Sequence, residues 1–371
     1  MARRSGKEPD APEAPEGGSA REAPGAAKAK QAGSAAPRVL AKRVAYRLDL
    51  DKTYLATGFE SVRQLVKIPF ETADDKVALP AVPELVRALR RTASEAGLDP
   101  RVFFLSASPP QIGRAIREKL ANDGLVVDGI VFKDQVSNLV KGRWGSLKEQ
   151  VGYKLFELLR SRGEEEVARH EILFGDDWES DPIIYSLYAD ILAGDLGGAE
   201  LEHLLVRLGV SKRNRPRILG LAEGLSGRES EVVERIFIRL ERRTPPAEFR
   251  PFGPRLVPTY NYFQTAAVLY DLKRVDLRGT VDVARALRDR SGVGKAELRN
   301  SLDDLVRRGH LMLGTRARVL ARLEKEGLSE RAREERALGA RLRAARERWR
   351  RRRKLAPFEV DYEALLPPAD D

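Results

Sequence analysis

The sequence contains no cysteine in 371 residues. That excludes a disulfide framework, a thiolate zinc site and a cysteine nucleophile, and it fits a reducing, cytoplasmic setting. Histidine occurs three times, at scattered positions. His170 precedes a strand-like run, His203 sits in an amphipathic pattern and His310 ends a helical one, so each reads as structural or solvent-facing. No apolar run approaches the roughly 18 residues that a membrane-spanning helix needs. The opening "MARRSGKEPDAPEAPEGG" lacks the apolar core of a secretory signal.

What is present is charge, unevenly placed. Apolar residues make up 42% and charged residues 33%, the balance of a globular protein with basic or disordered extensions, and the length suits two or three domains. The net charge is +11. Residues 1–40 carry 7 basic and 5 acidic side chains, residues 41–200 carry 22 and 26, and residues 201–371 carry 38 and 25. The middle is acidic and the second half holds the excess base.

Residues 1–40 are rich in Ala, Pro, Gly, Glu and Lys. They bury too little apolar surface to offset ordering entropy and are expected to be disordered. From Val44 the pattern changes. "RVAYRLDLD", "RVFFLSASPP", "LVVDGIVFKD" and "EILFGDD" read as strands. Between and after them, "VPELVRALRRTASEAG", "QIGRAIREKLANDG", "SLKEQVGYKLFELLRSRG" and "PIIYSLYADILAG" have helical spacing. Short strands alternating with helices of 10 to 18 residues predict βαβ units and a parallel sheet, an α/β fold. Ligands of such sheets bind beyond the carboxyl ends of the strands.

Three of these strands end in Asp49/Asp51, Ser106 and Asp176/Asp177, and a helix between the last two carries Lys148 and Lys154. Clustered carboxylates repel, and burial raises their pKa values unless a cation compensates. Magnesium, a hard ion that takes one or two carboxylates with water and phosphate oxygens, resolves that conflict around Asp49 and Asp176. One carboxylate is then placed to attack phosphorus in line, and Asp51 to protonate the leaving alkoxide and later activate water. The Ser106 hydroxyl and the Lys154 ammonium suit the charge developing on the phosphoryl group. Lys148 reads as a solvated helix lysine.

The order "DLDKT", a strand ending in Ser106, a helical lysine and "GDDWESD" resembles the haloacid dehalogenase superfamily in its aspartate-phosphatase branch. "FFLSASPPQIGRAIREKL", "GYKLFELL" and "FGDDWESDPIIYSLYADI" are similar to the phosphatidate phosphatase catalytic-domain family known from a fungal actin-patch protein. The resemblance spans roughly residues 43–195. It implies a Rossmann-like phosphatase domain over residues 41–198 with a small cap insertion at about Tyr54–Pro80. It further implies Asp49 as nucleophile and metal ligand, and Asp51 as general acid/base with its main-chain carbonyl on the metal. Thr53 would position that loop, Ser106 and the adjoining Ala107 would bind the phosphoryl group, and Lys154 would neutralise it. Asp176 would ligate Mg²⁺. Lys52 stands where the family has a second acid and Asp177 where it has a small polar residue, so either Asp177 or Asp181 is the supporting metal-side acid. Trp178 either lines the substrate mouth or packs.

Residues 199–312 read as a helical accessory domain, "ESEVVERIFIRLERR" included, with a winged-helix-like pattern around Lys295–Arg308. "SGVGKAE" fails as a phosphate loop because Asp289 and Ala296 replace the required glycine and hydroxyl; it reads as a helix start. Residues 313–371 comprise a basic helix and an acidic, loose tail. Arg341–Lys354 carries nine basic residues against Glu347. This stretch suits an anionic membrane surface or nucleic acid, or is simply solvated. The functional expectation is a Mg²⁺-dependent phosphatase, cytoplasmic or peripheral at a membrane, that hydrolyses a phosphomonoester through phospho-Asp49, with phosphatidic acid the specific substrate that the resemblance implies. The alternatives are a phosphatase of nucleic-acid ends or nucleotides, and a binding adaptor with an inactive domain.

Overall fold

The structure, a computed structural model, describes residues 38–51, 53–55, 78–106, 113–132, 143–163, 166–178, 180–227, 231–330 and 358–366. In chain order the first half runs β1 (Arg38–Asp49), α1 (Val82–Glu95), β2 (Asp99–Ser106), α2 (Gly113–Asn122), β3 (Gly129–Phe132), α3 (Arg143–Arg162), β4 (Glu166–Asp176) and α4 (Asp181–Ala193). The second half runs α5 (Gly198–Arg207), α6 (Asn214–Leu225), β5 (Val233–Arg239), a 3₁₀ helix (Pro246–Phe252), β6 (Leu256–Thr259), α7 (Tyr262–Asp271), α8 (Leu277–Ser291), α9 (Lys295–Arg308), α10 (Leu313–Lys325) and α11 (Tyr362–Leu365).

The six strands form one parallel sheet in the order β3-β2-β1-β4-β5-β6. This is the α/β fold expected from the alternation of apolar runs, with a Rossmann-like strand order. Val44 to Leu48 are all buried because helices cover both faces of the sheet. Successive side chains still part to opposite faces. Ile172 and Phe174 of β4 join one core with Tyr46, Leu48 and the apolar stripes of α1, α7, α8 and α9. Leu173 joins the other core with Val151, Leu155 and Leu158 of α3 and the buried side of α4.

The second half departs from its expected helicity. Val233–Arg239 and Leu256–Thr259 are strands that extend the sheet beyond β4. The charges in "VVERIFIR" imitate a helical period, yet Val232, Val233, Ile236, Phe237 and Ile238 are all buried, as a two-sided central strand requires. Its acid is met by a residue 40 positions away: Arg274 Nε donates to Glu234 at 2.9 Å. The expected division after residue 198 therefore falls within one sheet. In the region read as winged-helix-like, α9 is followed by the helix α10. Asp303 and Asp304 are taken by Arg316, Arg307 and Arg308.

The tail is not loose where it is described. Tyr362 is buried, and its hydroxyl donates to Asp190 Oδ2 at 2.5 Å, while Arg255 donates to Asp190 Oδ1 at 2.6 Å. Most of the N-terminal tail, most of the cap insertion and the basic run Arg341–Lys354 lie outside the described residues. Among the described residues no helix is long and apolar enough to cross a membrane.

Beneath the sheet, Glu171 is fully buried on β4. It accepts from Arg47 Nε at 2.7 Å, Arg162 Nη1 at 2.9 Å and the Tyr188 hydroxyl at 2.9 Å. Burial alone would raise its pKa, but the Arg47 and Arg162 guanidiniums overcome that and hold the carboxyl down, from an ordinary 4.5 to about 2. A depressed carboxylate contributes stability in full above its unfolded pKa and loses it as pH falls through the folded one, here from about 4.5 towards about 2. The contribution is on the order of 3 kcal/mol. Glu171→Gln should cost about 3–5 kcal/mol at pH 7, because two guanidiniums lose their buried counter-charge. Urea unfolding of both proteins at pH 7 and near pH 2.5 checks this. The gap between them should narrow in acid, and a gap of equal size at both pH values would refute the assignment.

Candidate metal centre

The strand register brings the polar strand ends together. Asp49 of β1 pairs with Leu105, one residue before Ser106 at the end of β2, and Leu48 pairs with Phe174, two residues before Asp176 at the end of β4. From β1 the chain runs outward to β2 and β3 on one side, then crosses back to β4 on the other side of β1 and continues outward to β5 and β6. A crevice opens beyond the strand ends at such a switch point. Asp49 and Asp176 stand on its two sides.

After Asp49 the chain turns back on itself. Leu50 N donates to Leu105 O at 2.9 Å, and Tyr54 N and Leu55 N both return to Leu50 O, at 3.1 and 2.9 Å. This tight loop sets Asp51 beside Asp49, where Asp51 Oδ2 accepts from the Ser106 hydroxyl at 3.0 Å. Asp51 is half-buried and Ser106 fully buried. Thr53 is buried, and its main-chain carbonyl accepts from the Tyr262 hydroxyl at the start of α7, 209 residues along the chain. Burial raises the Tyr262 pKa, so the phenol stays a donor.

Lys154 reaches the same point from α3. Its ammonium lies 2.8 Å from Asp49 Oδ1 and 2.8 Å from Asp181 Oδ1, and all three side chains are buried. Asp181 opens α4, and its other oxygen accepts from Asp176 N at 3.3 Å. Asp176 Oδ1 accepts from Trp178 N at 2.7 Å. One carboxylate oxygen from each of Asp49, Asp176 and Asp181 falls within 4.8 Å of the others.

This donor set fits a metal ion. Three buried carboxylates gather about one buried ammonium, so among these four groups the acids are in excess by two. An all-oxygen ligand set with that surplus suits a hard divalent cation. Tyr185 packs beside it with its pKa raised well above the ordinary value by burial and by the Asp181 carboxylate, so it adds no charge.

Asp177 stands apart from the cluster. Its two oxygens accept from Arg242 N at 2.8 Å and Thr244 N at 3.2 Å, so its carboxylate shapes the loop after β5. Of the two acids left open by the sequence, Asp181 is the one beside Asp49 and Asp176. Ala107 and Lys52 lie outside the described residues, as does the side chain of Lys148. Trp178 is partly buried, with the Arg242 guanidinium 5.3 Å over its ring.

Two supporting residues escaped the sequence reading. Tyr262 belongs to the half expected to be accessory, although Asn261, which caps α7 by accepting from Gln264 N at 2.9 Å, announces that helix start. Gly175 sits within a quoted motif but its reason is steric. A Cβ there would lie 2.7 Å from Asp181 Cβ and 2.8 Å from a Tyr185 ring carbon. Only glycine lets α4 approach β4 closely enough to bring Asp181 to Asp49.

The chain matches no family model, no curated protein and no solved structure.

Two outcomes follow from this geometry. A hard divalent cation, tested as Mg²⁺ at about 100 times its Kd, should stabilise the protein by about 2.7 kcal/mol, read as a rise in Tm, and Asp176→Asn should remove that rise. Gly175→Ala should cost about 1–3 kcal/mol through overpacking and weaken the Mg²⁺-dependent rise by displacing Asp181. Calorimetry with and without the ion checks both, and an alanine variant that keeps the full rise would contradict the second.

Proposed function

We propose that the protein is a Mg²⁺-dependent phosphatase of haloacid dehalogenase type that hydrolyses a phosphomonoester through phospho-Asp49. One observation carries the reading: Asp49, Asp51, Ser106, Lys154, Asp176 and Asp181, drawn from three strand ends and two helices, converge at one edge of the sheet. A structural ion-pair network has no need to gather at a switch point, nor to leave a surplus of negative charge there.

In this reading an Asp49 oxygen attacks phosphorus, forming the Asp49–O–P bond as the ester P–O bond breaks. Asp51 gives its proton to the departing alkoxide. Water then attacks the phosphorus of phospho-Asp49, Asp51 takes up a proton, and phosphate leaves with Asp49 restored. Lys154 holds Asp49 through their 2.8 Å ion pair and fixes the nucleophile's direction. The Ser106 hydroxyl, which donates to Asp51 at 3.0 Å, turns to a phosphoryl oxygen when substrate is bound. Asp49, Asp176 and Asp181 would hold Mg²⁺, which would supply the neutralising charge that phosphoryl transfer needs. Phosphatidic acid is the substrate that the family resemblance favours.

The test is phosphate release from an aryl phosphate and from dispersed phosphatidic acid, with Mg²⁺ and with chelator. Release should require the ion, and Asp49→Asn should reduce it at least a thousandfold while leaving the protein folded. Asp51→Asn should slow it by about 10²–10⁴-fold, the usual range for losing a general acid. Release that persists in the Asp49 variant would sink the aspartyl-phosphate route.

A further inference from the structure

The strand-end edge continues past the acid cluster onto β5 and β6. Asp176 is in register with Arg239, and Arg239 with Thr259, so the loops that follow these three strands lie side by side. They present Trp178, Arg242, Arg243 and Tyr260. Arg242 and Arg243 are exposed, and neither pairs with a carboxylate among the described residues. Tyr260 is 46% exposed, with the Arg308 guanidinium 5.9 Å from its ring.

The backbone at this place is built at a cost. Asp177 accepts from the N–H groups of Arg242 and Thr244, and the residue between them, Arg243, is held at φ +58. An L-residue is disfavoured in that left-handed region, where glycine is free of strain. Ala81, Glu231 and Lys273 share this conformation, so at Arg243 it fixes where the side chain stands and does not by itself assign it a use. Asp177 follows Asp176 directly, so the same turn that delivers Asp176 also presents the arginine pair.

From these observations we infer that this rim binds a second anionic group on the substrate, and that the substrate is the phosphorylated end of a single nucleic-acid strand. The inference rests on the phosphatase reading for the terminal phosphate. It adds Arg242 and Arg243 for the adjoining phosphodiester and Trp178 and Tyr260 for base stacking. Arginines interleaved with aromatic rings are what single strands need, because every base has a face to stack and every linkage a charge. Neighbouring strands are about 4.8 Å apart, so the strip from β4 to β6 is roughly 10 Å wide, enough for the unit next to a terminal phosphate. A membrane fits less well. Surface binding needs apolar side chains that enter the lipid. Of the exposed large apolar side chains among the described residues, Val126, Val206, Tyr260 and Phe358, only Tyr260 follows a strand's carboxyl end.

The test uses the full chain with three probes: an aryl phosphate, phosphatidic acid in vesicles, and fluorescent single-stranded oligonucleotides phosphorylated at the 5′ or the 3′ end. Arg243→Gly removes the side chain at a position that glycine tolerates, so its Tm should not fall. The double variant R242Q/R243G should raise KM for the preferred oligonucleotide at least tenfold, far more than it lowers kcat. The ratio of its kcat/KM to that for the aryl phosphate should drop by a similar factor. Oligonucleotide binding, read by anisotropy in the Asp49→Asn background, should weaken to match, and the slope of log affinity against log salt should become shallower by about 0.7, the value for one phosphate on a single strand. Equal losses on the aryl phosphate and the oligonucleotide would overturn the inference. So would a preference for vesicles that the double variant reduces, which would make the rim a lipid surface. Phosphate release with no rim effect would overturn this inference and leave the phosphatase reading standing. Rim-dependent binding without release from any probe would overturn the phosphatase reading, and with it the strand end as substrate, leaving the rim as a binding surface for single strands.

Discussion

The Lys154 ammonium, buried between Asp49 and Asp181, is the interaction on which the rest of the site depends. A lysine this deep is costly to desolvate, and it persists because two carboxylates meet it at 2.8 Å. It ties three separate pieces of chain, the end of β1, the middle of α3 and the start of α4, to one point. The carboxylates outnumber it, and together they make the point a place that could hold a divalent ion. A neutral packing of the same three elements would hold the fold equally well and provide no such site.

The glycine at 175 and the phenol at 262 show how much geometry the cluster needs. Gly175 clears the space through which Asp181 approaches the sheet, and Tyr262 secures the loop that carries Asp51 by bonding Thr53 O. Neither group takes part in charge balance. Both fix where charge sits, and a site that works by positioning is sensitive to displacements of about an ångström.

Much of the centre was legible because its residues stand at strand ends, and strand ends are announced by apolar runs. Asp49, Ser106 and Asp176 each close such a run, and a parallel sheet aligns them without further information. The choice between Asp177 and Asp181 was not legible. It turns on which carboxylate points inward, and that is set by the loop after β5, whose N–H groups draw Asp177 away. The strands β5 and β6 were missed for a related reason. Glu234 and Arg235 break the apolar run of β5 with a helix-like period, and Glu234 is matched by Arg274, a partner 40 residues away that no local pattern reveals. The docking of Tyr362 on Asp190 likewise depends on a contact 172 residues apart.

Charge along the chain suggested an acidic middle and a basic second half with separate tasks. The sheet joins them instead. β5 and β6 continue the strands that carry the acids, and the arginines after β5 stand beside the carboxylates after β4. Acid at the centre and base at the rim form a field suited to a ligand with a charge at its tip and another behind it. In the proposed reading a metal ion would answer the central carboxylates, and the rim would answer charge on whatever extends beyond the phosphate. A basic half folded as a separate body would have no fixed relation to the cluster. Strand pairing at Asp176–Arg239 supplies that relation through backbone hydrogen bonds, which side-chain substitutions at the rim leave intact.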